Sequence, residues 1–352
     1  MKKLLSLTAN ISLMLIFLNA LVYSCATKND AREQADKLYK QGLELAEKGG
    51  VPNMIEAAAL YKKSFEADSS FANAYAAYAN TYASLGGGFN YLSPEKVIPE
   101  IKFAADKAVA LDPNLAWGWV AKANVELLST WDWTAFGNYL KKAVDLDPNN
   151  ATLLIWYTNY LDMMKRSDEA KQFEERAMKI TPENQVVINY TRYKMAKAGE
   201  FEKVKQSIKK DIEANPKDPY PYWQMAVLCS REGKPEEALA NLAIQIPLMN
   251  GDIADEVALS GFNLGRMGKT EEAMAELKKL DELAEKGTYV SPALKAWVYA
   301  GLNNKDEAMA FLEKGYNERA FRMGLDLNGF SFIFKSLEDD PRYIELMKKM
   351  KL

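Results

Sequence analysis

The sequence predicts an all-α fold: a right-handed superhelical solenoid of about eight helix-turn-helix units, finished by a C-terminal capping helix. Three observations carry that prediction. Alanine, leucine, lysine and glutamate dominate, while glycine (19) and proline (13) are sparse, which favours helix. A short string recurs as Glu232-Gly-Lys-Pro-Glu-Glu-Ala238, Met267-Gly-Lys-Thr-Glu-Glu-Ala273 and Asn303-Asn-Lys-Asp-Glu-Ala308, with weaker copies ending at Ala170 and Val204. Those closing small residues are spaced 34, 34, 35 and 35 apart. A second series, Pro113, Pro148, Pro182 and Pro216, has spacings of 35, 34 and 34.

The elements follow in chain order. Residues 1–24 read as an export signal: Lys2 and Lys3 precede an almost wholly apolar run, Leu4–Val22, and no acidic residue appears before Asp30. The run ends in Val22-Tyr23-Ser24-Cys25, which resembles the lipobox of bacterial lipoproteins. Val22 and Ser24 fit that pattern; Tyr23 stands where a small residue is usual. The resemblance implies lipid attachment at Cys25, with residues 25–32 as the lipidated cysteine and a short tether. Ser24-Cys25-Ala26 also has the form of an ordinary cleavage site, and the apolar run is just long enough to stay as a membrane anchor. Ala26, with no aspartate after the cysteine, favours the outer membrane of a Gram-negative bacterium, facing periplasm or cell surface.

Residues 33–320 form the array. A period of 34 with a small residue in mid-unit and a proline near its end resembles the tetratricopeptide repeat. In such a unit two antiparallel helices cross at small residues, where their backbones approach closely. Glycine or asparagine ends the first helix in the left-handed conformation, and proline stops the second. The clearest unit is Phe71–Pro113, with Tyr75, Ala79 and Tyr82 as packing positions; the first, from Ala35, is degenerate. Gly86-Gly-Gly-Phe-Asn-Tyr-Leu-Ser-Pro94 lengthens the second unit, and an exposed, mobile turn with Phe89 and Tyr91 at its tip is expected there. Residues 321–352 form the cap: Phe321–Phe334 breaks the repeat, and Ser336–Leu352 reads as one helix opened by Asp340-Pro341.

Four stretches resemble something narrower: Leu111-Asp-Pro-Asn-Leu-Ala116, Trp131-Asp-Trp-Thr-Ala-Phe136, Tyr289-Val-Ser-Pro292 and Asp340-Pro-Arg-Tyr-Ile-Glu-Leu346. From Phe65 to Leu352 the chain is similar to the repeat region at the C-terminus of bacterial winged-helix, kinase or adenylate-cyclase regulators. No effector domain precedes it here, so the resemblance implies a sensing or partner-binding scaffold without their activity.

The composition excludes much chemistry. The chain has no histidine and two cysteines, so histidine-bearing triads and metal sites, four-cysteine zinc sites and disulfide frameworks are ruled out. No cofactor, metal or catalytic residue is expected, and the protein is read as a non-enzyme. A net charge of −3 gives no electrostatic case for nucleic acid; the membrane would be reached through the lipid anchor. Cys229 falls at a core position and is expected to be a buried, inert thiol.

Function is expected in the concave groove. One lining position, read unit by unit, gives Asn80, Asn124, Asn159, Tyr193, Val227, Phe262 and Trp297, and a neighbouring one gives Trp223. A ladder of amides can hold a peptide backbone by donating and accepting, and the aromatic half suits an apolar anchor. The expected role is an envelope lipoprotein scaffold or adaptor that binds a protein or peptide partner. The alternative is a glycan or small-molecule sensor that stacks its ligand on Trp223, Phe262 and Trp297.

Overall fold

The computed structural model describes residues 29–88, 91–249, 253–321, 323–324 and 329–351. The export signal, Cys25 and Phe89 lie outside the described residues. Eight helix pairs follow one another among the described residues. They are α1 (29–48) with α2 (Val51–Ala67), α3 (Ala72–Ala83) with α4 (Pro94–Leu111), and α5 (Ala116–Val125) with α6 (Trp133–Leu146). Next come α7 (Ala151–Met163) with α8 (Ser167–Ile180), α9 (Gln185–Lys197) with α10 (Phe201–Ala214), and α11 (Pro219–Glu232) with α12 (Pro235–Gln245). The last pairs are α13 (Ala254–Arg266) with α14 (Thr270–Glu285) and α15 (Pro292–Gly301) with α16 (Lys305–Asn317). No described helix is long and apolar enough to cross a membrane.

Local chemistry sets these boundaries. Helices α4, α6, α8 and α10 end at Leu111, Leu146, Ile180 and Ala214, each two residues before the proline of its unit. The side chains of Asp132, Asn150, Asn184, Asp218 and Asn304 cap the helices that follow them by accepting from free backbone N–H groups. Between the helices of a unit, one residue turns left-handed: Gly199, Gly233, Gly268 and Asn303, with φ between 55° and 89°. Lys165 and Trp131 take the same conformation without glycine's freedom.

The small closing residues behave as the period requires. Ala170, Val204, Ala238, Ala273 and Ala308 are all buried, each on the second helix of its unit. Tyr75 and Ala79 are buried in the second unit as well. Between α13 and α15 backbone meets backbone. A Cβ on Gly301 would lie 2.3 Å from the Phe262 carbonyl oxygen, and one on Gly265 would lie 2.6 Å from the Gly301 carbonyl carbon.

Two expectations are corrected. The Gly86 turn is not exposed: Gly86 and Gly87 are buried in a widened π-type turn, Ser84–Gly88. A Cβ on Gly86 would meet the Phe321 ring at 2.5 Å, and one on Gly87 would meet Leu128 at 3.0 Å, so the glycines serve close packing. The C-terminal region is also more than a polar lid. A 3₁₀ stretch, Ser331–Leu337, precedes a shorter helix, Pro341–Lys349, capped by Asp340. The guanidinium and backbone N–H of Arg342 hold the Asp340 carboxyl down at about 2.

The region beyond α16 returns to the start of the array. Phe321 is buried among the residues of the N-terminal core. Trp131 packs on Tyr316 with ring centroids 5.4 Å apart, under the Arg319 guanidinium at 4.7 Å. Trp133 Nε1 donates to the Met350 carbonyl at 2.7 Å, across 217 residues of sequence. The third and eighth units are thereby tied together.

Candidate binding groove

The predicted lining residues divide into three groups. Asn80 and Asn124 are joined to each other: Asn124 Nδ2 donates to Asn80 Oδ1 at 3.0 Å, and Asn80 Nδ2 donates to the Trp117 carbonyl at 3.1 Å. They form a structural link between the second and third units. Asn80 borders a shallow hollow of about 370 Å³ shared with Tyr39, Asn73 and Trp117.

Asn159 and Tyr193 are brought together in a larger cavity of about 730 Å³ between α6, α7, α9 and the returning C-terminal segment. Asn159 is exposed there, and its amide makes no hydrogen bond among the described residues. Rings of Trp133, Phe136, Trp156, Tyr160 and Tyr190 line the walls, and Gly324 and Gly329 close one side. The polar wall is built from Asp162, Tyr190 and Lys194. Tyr190 Oη donates to Asp162 at 3.0 Å or Glu174 at 3.2 Å, and Lys194 Nζ lies 3.4 Å from Glu174. Burial, then the two carboxylates, push the Tyr190 phenol far above its usual range, so it remains a hydroxyl donor.

Phe262 and Trp297 form the third group. Both are covered, at 3% and 0% exposure, because the chain's own Phe332 and Phe330 lie against them. Trp223 is half-buried at the edge of the main core. These three therefore offer no open stacking platform, and the aromatic half of the groove already has an occupant.

Two arginines that the sequence reading passed over organise this face. Arg192 is buried and held by Ser207, by Gln224 Oε1 at 2.9 Å and by Asp211 at 2.7 Å. Gln224 Nε2 in turn donates to Asn189 Oδ1 at 2.8 Å, which fixes the polar side of the cavity. Arg231 Nη2 donates to the Gly329 carbonyl at 2.9 Å, and its guanidinium lies over Phe332 at 4.9 Å. Desolvation lowers the Arg231 pKa below its usual value, although the group stays charged.

Cys229 is buried as expected. Burial pushes its thiol up to about 11, so it carries almost no thiolate near neutrality. The native chain is expected to leave Cys229 unreactive towards a thiol reagent at pH 8 and to react fully once unfolded. Rapid native labelling, measured with the Cys25→Ala chain, would contradict the burial described here.

No protein-family profile matches the chain, and no curated protein does. Among solved structures, the IFIT1 monomeric mutant with Gppp-AAAA aligns with TM-score 0.54 at 15% identity, over 96% of this chain and 78% of that one. The Cut9-Hcn1 hetero-tetramer of APC/C aligns with TM-score 0.52 at 14% identity over 84% of this chain. This chain spans about half, 52%, of the length of that one. A tetratricopeptide repeat protein from Parabacteroides merdae aligns with TM-score 0.48 at 14% identity, over 77% of this chain and 100% of that one. The first two likenesses concern fold, and the helix pairs with their 34-residue register make the chain an all-α tetratricopeptide-type solenoid.

Proposed function

We propose that this protein is an adaptor that holds a protein or peptide partner on its concave face and is attached to the bacterial outer membrane through a lipidated Cys25. The observation that carries the binding reading is the 730 Å³ cavity, with the exposed Asn159 amide, unbonded among the described residues, at its surface. Exposed amide and half-exposed ring surface, gathered on rigid helices, match a short extended peptide: amides take its backbone and rings take a side chain. The lipobox-like residues Val22, Ser24 and Cys25 support the anchor.

Replacing Asn159 and Tyr193 together by alanine is expected to lower recovery of a crosslinked partner from intact cells at least tenfold. Both side chains are on exposed or half-exposed ground, so the thermal midpoint should move by less than about 3 °C. Unchanged recovery would remove the cavity from the reading. The anchor has its own test: a fatty-acid analogue should label the chain, and Cys25→Ala should abolish the label.

A further inference from the structure

The smaller hollow lies on the N-terminal side of the cavity, where α1, α3 and the start of α5 meet. It has a volume of about 370 Å³, and Tyr39, Leu43, Met54, Leu115 and Trp117 wall it. Ala76 and Ala77 line it from α3. The repeat register explains why there is space. Ala77, Ala121 and Trp156 hold equivalent positions in successive units, as Asn80, Asn124 and Asn159 do. The second unit thus has a methyl group where the fourth has an indole, and the missing ring leaves the hollow.

Its chemistry differs from that of the cavity, because its polar side chains are turned to the fold. Asn80 donates to the Trp117 carbonyl and accepts from Asn124, and Ser84 Oγ donates to the Asn80 carbonyl at 3.0 Å. Thr81 is buried, and Asn73 lies beside the Tyr39 hydroxyl. What remains open is apolar: Leu43 is 38% exposed, and Met54, Ala77, Leu115 and Trp117 are half-buried. Apolar surface gathered in a concave site on rigid helices rewards a ligand that covers it. The hollow also continues into the cavity. Trp117 on its wall meets Trp156 on the cavity wall edge to face, with ring centroids 5.8 Å apart. The two indoles form a ridge with a site on either side.

We propose that the hollow is a second subsite for the same partner and takes one large aliphatic or aromatic side chain of the peptide whose backbone Asn159 holds. This rests on the concave face being the peptide-binding face. Ala77 on α3 and Asn159 on α7 are two units apart. At about 9 Å between packed neighbouring helices, an extended segment crosses that gap in about five or six residues. The partner therefore carries its large apolar residue about that far from the residue seated in the cavity. The work of recognition is divided: the exposed amide takes backbone without regard to sequence, and the hollow selects for size and apolarity.

The test uses the full chain and a displayed library of random peptides long enough to span both sites. Selected peptides are expected to share a large apolar residue. Changing that residue to alanine in a fluorescein-labelled copy should weaken binding, read by anisotropy, by about tenfold or more. The Ala77→Trp chain gives the second unit the indole of the fourth. It should bind the unchanged peptides at least about tenfold more weakly, and on it the peptide's alanine change should cost less than about twofold. If Ala77→Trp does not keep its helical circular dichroism, Leu43→Glu, at an exposed position, decides by the same loss of binding. Native affinity on either folded variant overturns the proposal, as does an alanine change that costs as much on the Ala77→Trp chain as on the native one. Peptides that need Asn159 and Tyr193 but ignore Ala77→Trp and Leu43→Glu would leave the adaptor reading standing and remove only this one. A library that yields no binding peptide removes both.

Discussion

Trp133→Ala is expected to destabilise the protein by about 3–5 kcal/mol, the range for deleting a buried tryptophan from a core. The side chain is 4% exposed, its ring edge meets Phe136 with centroids 6.1 Å apart, and its far corner lies against Gly324. Its Nε1 also donates to the Met350 carbonyl, so one residue fills the core and holds the C-terminal region. Trp133→Phe separates the two roles. It keeps most of the ring volume and loses the hydrogen bond, which is worth about 1 kcal/mol. Hydrogen exchange localises the effect: amides of Pro341–Lys349 should lose protection in the alanine variant before those of α15 do. A loss under about 1 kcal/mol, or protection that falls equally everywhere, would show that Trp133 does not fasten the two regions.

Gly301→Ala is the second large effect, about 3 kcal/mol of destabilisation from one added methyl group. The methyl would meet the carbonyl oxygen, Cα and carbonyl carbon of Phe262, at 2.3, 2.7 and 2.8 Å. All three are backbone atoms of α13, so no rotamer change relieves the clash and the two helices must separate. Gly118→Ala is the matched control. It is also helical and buried, but its nearest neighbours are Val109 Cγ2 at 3.4 Å and Ala108 Cβ at 3.5 Å, ordinary contact distances. There the methyl should be neutral or stabilising by up to about 1 kcal/mol through helix propensity. Urea unfolding of both variants checks the pair; equal effects would mean that the α13–α15 crossing is not the constraint.

The register of the array was legible because it repeats. A small residue needed at each crossing recurs every 34 or 35 positions, and the period identifies Ala170, Val204, Ala238, Ala273 and Ala308 without knowledge of their neighbours. Gly301 and Gly265 were not singled out, because they answer to a contact between units and not to the motif within one. Trp131 and Lys165 carry left-handed turns that glycine or asparagine makes elsewhere, so turn chemistry alone would have missed them.

The site was less legible for a related reason. Asn80, Asn124 and Asn159 occupy equivalent positions, but side-chain partners are not equivalent from unit to unit. One amide donates to the second, the second donates to a backbone carbonyl, and the third is exposed with no hydrogen bond among the described residues. The occupancy of the aromatic half depends on Phe330 and Phe332, outside the repeat, where periodicity says nothing. Buried Arg192 and half-buried Arg231 sit in helices whose pattern is set by apolar residues, and such an arginine leaves no mark on that pattern.

The bond between Trp133 and Met350 has a consequence for the order in which the protein can be made. An open solenoid can fold from its N-terminus as it leaves the ribosome, each new unit covering the one before. Here the hairpin ends of the second and third units wait for Phe321, Tyr316 and Met350, and a loop of some two hundred residues must close before they are covered. Until then Leu128, Trp131 and Trp133 present an apolar face to the surroundings, the kind of surface that chaperones hold. The late-synthesised segment is therefore a timing device as well as a fastening: completion of the early units is postponed until nearly the whole chain is available.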